Sequence, residues 1–262
     1  MSRWRPDTLR IALAPGEAAL LRARTSRVLT SPARSADSLL PLLDAVLSEP
    51  AWQSPRVEVV LSQHFVRHVL TPPPGKALSR AEEQALVAAS LREIYGEAAA
   101  PWQVQVHSQP PQYGLVGAAV DTALVRQLDA LLARHGCRDV HIRPLASHAA
   151  RRLPARLDGW WVLAEAGWLS VFGGSHGVWH HLAAQPADAD WAAALPQLIE
   201  REAAQAALPM PATVWVQALG AGAVTAPKTP PPPPPVSPHA PPPPPAPAPP
   251  RLHPPRPAPP PP

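Results

Sequence analysis

Gly173-Gly174-Ser175-His176-Gly177 spells G-x-S-x-G, the pattern that in hydrolases lifts a serine on a sharp strand-to-helix turn, with an acid and then a histidine further along the chain. Here the residues from Val178 onward read as a strand, and beyond Asp188 or Asp190 the only histidines are His239 and His253 in a proline-rich tail. The pattern therefore reads as a flexible glycine hairpin rather than a nucleophile site. His176, His180 and His181 lie close enough in sequence to raise a metal site. On a strand His180 and His181 face opposite sides, and no acid follows before Asp188, so they read as surface or half-buried histidines. Cys137 is the single cysteine, which excludes an intrachain disulfide and a thiolate metal cluster and points to a reducing compartment. Trp160, Trp161, Trp168 and Trp179 crowd one strand meander; they read as core, with a partner groove as the functional alternative.

The stretch that must position much of the rest is Val57 to Leu70, VEVVLSQHFVRHVL, fenced by Pro55 and by Pro72-Pro73-Pro74. Prolines at both boundaries disfavour a helix, and the β-branched content reads as two strands end to end. Val57, Val59 and Leu61 share one face, and the polar step Ser62-Gln63-His64 marks a crossing from one sheet to another. Before it, Leu9–Ala14 and Glu17–Arg24 form a hairpin around Pro15-Gly16, Arg27–Thr30 adds a strand, and Ser35–Ser48 reads as an amphipathic helix capped by Ser35 or Asp37. After it, Ser79-Arg80-Ala81-Glu82 is a capping box opening a helix that closes at Gly96. Trp102–Val106 and Tyr113–Val120 are strands, the second with glycines that admit a close neighbour. Asp121 caps a helix stopped by Gly136, Asp139–Leu145 is a strand, and a short helical segment begins at Ser147. Three strands follow at Trp160–Glu165, Leu169–Phe172 and Val178–Leu182, then a helix from Asp188 to Leu208 and a strand from Ala212 to Leu219. A strand meander followed by a helix and a strand thus occurs twice.

More than half of the 41 prolines fall after Ala226, which leaves a body of about 225 residues, long enough for one domain with two subdomains. The tail holds Lys228, Arg251 and Arg256 and none of the 19 acidic residues, so the formal net charge of +4 belongs largely to it. A near-neutral body with sparse arginine pairs argues against a nucleic-acid partner. The opening MSRWRPDTLR lacks the apolar core of a signal peptide. Neither long uncharged run, Ala166–Ala187 or Ala203–Pro227, is uninterrupted for the length a membrane helix needs. The runs Pro230–Pro235 and Pro241–Pro245 hold polyproline II and build no core, so residues 227–262 are expected to be a disordered extension. Pro230, Pro235, Pro241 and Pro245 mark the segments that a polyproline-binding partner would take.

The strand ending in Leu-Ser, followed by Phe-Val-Arg, a histidine and two apolar residues before prolines, resembles the actin-like cytoplasmic domains of bacterial secretion and pilus machines, the PilM, GspL and MshI group. The resemblance covers roughly residues 9 to 219. It implies an α/β, actin-like (ribonuclease-H-like) two-lobed domain over residues 1–226, with a small inserted subdomain at about 65–120 of the kind seen in PilM and FtsA. It also implies a cytoplasmic adaptor, peripheral at the inner membrane, that holds the cytoplasmic segment of an inner-membrane assembly protein as PilM holds PilN. Phe65 and Arg67 are the partner-facing candidates it carries over, although Arg67 also reads as an ion-pair partner of Glu82 or Glu83. Actin-like ATPases grip nucleotide phosphates with two glycine-bearing hairpins, each with an acid for Mg²⁺ and water. In this chain Gly16 in Leu13–Glu17 comes without an Asp and beside Pro15, which lacks an N–H, and the second hairpin offers only Glu165 and Gly167. The expectation is a non-catalytic protein without a cofactor, the alternative an ATP-binding switch of the same fold.

Overall fold

The computed structural model describes residues 8–154, 157–211 and 213–219, and they form three sheets with five α-helices. The first sheet is built on β1 (Leu9–Ala14), whose Leu9, Ile11 and Leu13 alternate with exposed residues and are buried completely or nearly so. Gly16 turns β1 into β2 (Glu17–Arg22) with φ +77°, and β3 (Thr25–Thr30) completes an antiparallel meander. After α1 (Leu40–Leu47) the chain returns as β4 (Arg56–Leu61), parallel to β1 with Leu9 opposite Val57 and Leu13 opposite Leu61. β8 (Asp139–Pro144) lies parallel on the far side of β4, giving the order β3-β2-β1-β4-β8. Val57, Val59 and Leu61 are fully buried on one face, as their spacing predicts, and pack with α1 and with α3 (Thr122–Arg134).

The first helix departs from the sequence expectation. It begins at Leu40, five residues after the predicted start, and no side chain caps it. Pro41 fits the first helical turn, where no N–H is needed, while Ser35 serves the preceding turn by accepting from the Ser38 N–H at 3.4 Å.

The second sheet repeats the order of the first four strands. β9 (Gly159–Glu165), β10 (Trp168–Ser175) and β11 (Val178–Pro186) form the antiparallel meander, α5 (Trp191–Gln205) crosses, and β12 (Val214–Ala218) returns parallel to β9. Both faces of β9 are covered: Trp160, Val162 and Ala164 pack with α5, whereas Trp161 and Leu163 pack with Phe172 and the short α4 (Leu145–Ala149). Burial on both faces explains why β9 reads as an unbroken apolar run instead of an alternating one.

The third sheet, β5-β7-β6, comes entirely from the chain between β4 and α3: β5 (Val66–Leu70), β6 (Trp102–His107) and β7 (Val116–Asp121). β4 and β5 belong to different sheets, so Ser62-Gln63-His64 is the crossing that its polarity predicts. The long helix α2 (Arg80–Tyr95) covers this sheet with Val87 and Leu91, and the Ser79–Glu82 capping box is present in both directions. Ile94, placed on the apolar face by its spacing, is exposed. β7 begins three residues later than predicted, at Val116. Gly117 lies under α2, and a methyl group there would overlap Val87 Cγ1.

Gly117→Ala is therefore expected to lower the denaturation midpoint by a stability change of about 1–3 kcal/mol, the usual cost of overpacking. Adding Val87→Ala should recover part of that loss. Strict additivity of the two substitutions in urea unfolding would show that the helix and the glycine do not press on one another.

Candidate functional site

The two repeated halves face one another across a cleft of about 340 Å³. Ala12, Ala14, Pro15 and Glu17 line it from the first hairpin, Val60 and Ser62 from the end of β4, and Glu165, Ala166 and Leu219 from the second half. Residues of both glycine hairpins border this cleft, Pro15 and Glu17 from one and Glu165 and Ala166 from the other. Gly16 is buried, and its carbonyl accepts from the Ser31 N–H at 2.8 Å, so its backbone is committed to the end of β3. Gly167, with φ +79°, accepts from the Ala187 N–H at 3.2 Å and closes the β9–β10 turn.

Glu165 is not a solvated turn residue. It sits half-buried at the end of β9, where its Oε2 accepts the Gln63 backbone N–H at 2.8 Å and a further hydrogen bond from the Ser62 hydroxyl. Burial raises its carboxyl above the ordinary carboxylate range; the bonds from Ser62 and Gln63 and the neighbouring His64 oppose that rise. The other groups of the crossing step are also fastened to residues far along the chain. His64 Nε2 donates to the Ala166 carbonyl at 3.0 Å, and its ring lies 5.5 Å from that of Trp168. The Gln63 amide group donates to Ser170 Oγ at 3.4 Å and accepts from the Ala146 N–H at 3.4 Å. Gln63 and Ser170 are each only 1% exposed, so these polar groups satisfy one another away from water.

Arg67 belongs to the same junction. Its guanidinium stands 5.8 Å over the Trp168 ring and donates to the carbonyls of His64 at 3.0 Å and Val66 at 3.2 Å. The expected pairing with Glu82 or Glu83 is corrected: Glu82 caps its own helix through Ser79, and Glu83 meets Arg80 at 3.3 Å and the Ser108 hydroxyl at 2.8 Å. Phe65 is half-buried against the core of the first half. Pro230, Pro235, Pro241 and Pro245 lie outside the described residues.

A triphosphate with Mg²⁺ needs free backbone donors at the hairpin tips and a carboxylate free to meet the ion. Pro15 offers no N–H, Ala14 and Glu17 are paired with each other, and the Glu165 carboxylate is taken up by Gln63 and Ser62. Among the described residues no group of three or more His, Cys, Asp or Glu is placed to hold a metal ion.

The glycine-serine pattern lies in the β10–β11 hairpin, with a bulge between Gly173 and Gly174, and not on a strand-to-helix turn. Ser175 Oγ does lie 2.7 Å from His180 Nε2, a contact the sequence order did not suggest; the His180 ring meets the edge of Tyr113. His181 turns to the opposite face and bonds Glu202 of α5 at 2.9 Å, so an acid reaches it from 21 residues away. Glu202 is 4% exposed and also meets Arg201 at 2.8 Å, which makes this an internal brace of the second half.

No protein family matches the sequence, and no curated protein does. Among solved structures the chain is similar to a Bacteroides thetaiotaomicron protein with an actin-like ATPase fold and unknown function, at 11% identity and TM-score 0.52 over 83% of each chain. It is also similar to the cytoplasmic domain of EpsL, an inner membrane component of the type II secretion system of Vibrio cholerae, at 15% identity and TM-score 0.49 over 72% of this chain and 74% of that one. A third similar structure is the PilM–PilN type IV pilus biogenesis complex, at 15% identity and TM-score 0.46 over 78% of this chain and 68% of that one. The first of these likenesses shows the fold, which is actin-like.

Glu165→Ala strips the buried Gln63 N–H of its acceptor and should cost about 1–3 kcal/mol in denaturant unfolding. Glu165→Gln keeps an acceptor and should cost less at pH 7. Because the folded carboxyl titrates above its unfolded value, the native state binds the proton more tightly. The stability of wild type relative to Glu165→Gln is then greatest in acid and falls as pH rises through the folded value. A difference that stays flat with pH, or rises, would contradict this placement of Glu165.

Proposed function

We propose that this actin-like chain is a non-catalytic adaptor of a type IV pilus or type II secretion assembly platform, which holds a short cytoplasmic segment of an inner-membrane partner. The observation that carries the reading is the engagement of Glu165. The one acid of the second hairpin is hydrogen-bonded across the cleft's edge to Gln63 and Ser62 of the first half, which supports a part in holding the halves together over one in gripping a metal ion. The resemblance of the Val57–Leu70 stretch to PilM and GspL supplies the machinery, and the partner is of the PilN kind. The adaptor works in the cytoplasm, peripheral to the inner membrane; among the described residues no helix is long and apolar enough to cross one.

A surface suited to such a segment is the groove between the third sheet and β8, where Leu61, Ala118, Val120, Val125, Ile142 and Pro144 are bordered by Gln103, Gln105 and Arg143. Its rim is β6, an edge strand whose Gln103 and Gln105 are exposed and whose Val106 carbonyl accepts from Arg80 at 3.0 Å. The second reading, an ATP-binding switch in the same machinery, is favoured by the meeting of both hairpins in one cleft.

Isothermal titration of the full chain with ATP and Mg²⁺ separates the two. The adaptor reading expects no saturable micromolar binding, and a clear micromolar isotherm would replace it with the switch. Pull-down with the cytoplasmic peptide of a PilN-like membrane protein is expected to succeed for both the full chain and a form lacking residues 227–262. Substituting Val125 by Glu should lower capture at least tenfold. Loss of capture on removal of the tail alone would move the recognition to the proline runs.

A further inference from the structure

The first sheet is covered on one face by α1 and α3, and the other face is much barer. Leu9, Ile11 and Leu13 of β1 belong to the covered face, so Arg10 and Ala12 point the other way. The ladder then sets Leu21 and Glu58 beside Arg10, and Ala19 and Val60 beside Ala12. Val28 stands beside Ala19 toward one edge and Arg143 beside Val60 toward the other. β1, β4 and β8 run parallel, and parallel strands ordinarily have both faces covered. Cover on this side comes from α4, five residues long, and the turn after it, which bring His148 and Arg151 each to 3.7 Å from Glu58. At its carboxyl end the face becomes a wall of the interlobe cleft.

The strands beyond that cover expose apolar groups. Leu21 is 41% exposed and Val28 58%, and beside them Ala19 and Ala12 make a floor of small side chains that admits a close neighbour. Around Glu58 the charges do not balance. Its carboxylate has Arg10 at 3.7 Å, Arg143 at 3.8 Å and Arg151 at 3.7 Å, all beyond hydrogen-bond range, and among the described residues the three guanidinium groups make no hydrogen bond. Arg56, on the same face, is instead neutralised by Asp139 at 2.6 Å, and Glu17 lies at the cleft end, where Arg34 lines the same space. Three arginines against one acid leave two positive charges, carried on side chains 58%, 39% and 53% exposed.

We propose that this face takes an amphipathic helix of a partner protein, its apolar stripe laid on Val28, Leu21 and the alanine floor and its acidic flank turned to Arg10, Arg143 and Arg151. The parallel strands call for a cover, and the unbonded arginines give that cover its sign. A second copy of the chain is disfavoured, because a twofold contact would set the same arginines against one another. Two apolar anchors with an exposed charged rim make a weak, transient complex, with a Kd of roughly 10–100 μM. The proposal does not rest on the adaptor reading, whose groove is formed with the third sheet. Arg143 borders both surfaces, so the test leaves it unchanged.

The probe is a synthetic helix of about five turns with leucines along one face and glutamates along its flanks, and its control has lysines in place of the glutamates. The full ¹⁵N-labelled chain is titrated with each. The expected result is a saturating shift of amide signals in β1 to β3 with the acidic helix, and binding at least tenfold weaker for the lysine twin. Arg10→Gln combined with Arg151→Gln should weaken the acidic helix at least tenfold and leave the unfolding midpoint close to wild type, since both side chains are exposed. Val28→Gln, at the other rim, should weaken it about fivefold. Equal affinity for the two helices, no saturation at millimolar peptide, or shifts confined to the groove around Val125 would each overturn the proposal. So would sedimentation with phosphatidylglycerol vesicles that the acidic helix does not displace, an outcome that would give the face to a membrane.

Discussion

A backbone N–H that leaves water must find an acceptor, and at Gln63 that acceptor comes from the other half of the molecule. The crossing segment Ser62-Gln63-His64 leaves the first sheet and enters the third; its Ser62 N–H still bonds the Leu13 carbonyl at 2.9 Å, but the Gln63 N–H and the side chains that follow have no place in either ladder. Glu165, Ala166, Ser170 and Ala146 satisfy them instead. Each half has its own apolar core, so burial alone would allow the halves to slide or hinge against one another. The polar junction removes that freedom, because a half-satisfied buried network is worse than none.

The repetition of strand order explains why a cleft exists at all. In each half the fourth strand runs parallel to the first, and the meander's first turn sits at the carboxyl end of that first strand. Two such units place two turns on facing ends, which is where open α/β sheets present loops to a ligand. In this chain the same placement serves cohesion: one turn carries Pro15 and is tied to β3, and the other carries Glu165 and is tied to the crossing segment. Arg67 over Trp168 adds a cation–ring contact to the same seam.

Period and punctuation made most of the elements readable. Alternation in Leu9–Ala14, the Pro15-Gly16 turn, the Ser79–Glu82 box and the Asp121 cap each depend on neighbours within four residues, and each stands where local chemistry puts it. The polar step inside Val57–Leu70 announced a change of sheet for the same reason. Its partners were not legible, because Gln63 and Glu165 are 102 residues apart and nothing in either segment names the other. The same limit hid the Glu202 partner of His181 and sent Arg67 toward Glu83 in place of Trp168. Where the helix began at Leu40, a proline near the helix start outweighed two good capping residues upstream.

The separation of Gln63 from Glu165 also orders events in time. Synthesis delivers β1 to β4 and then the whole third sheet before β9 exists, and the first sheet is complete only once β8 has emerged. Until Glu165 arrives, the Gln63 amide must stay hydrated, so the nascent first half keeps a wet, open seam on the side where its twin will dock. Closure of that seam is a late, long-range step, and it is slow relative to the local helices and hairpins on either side.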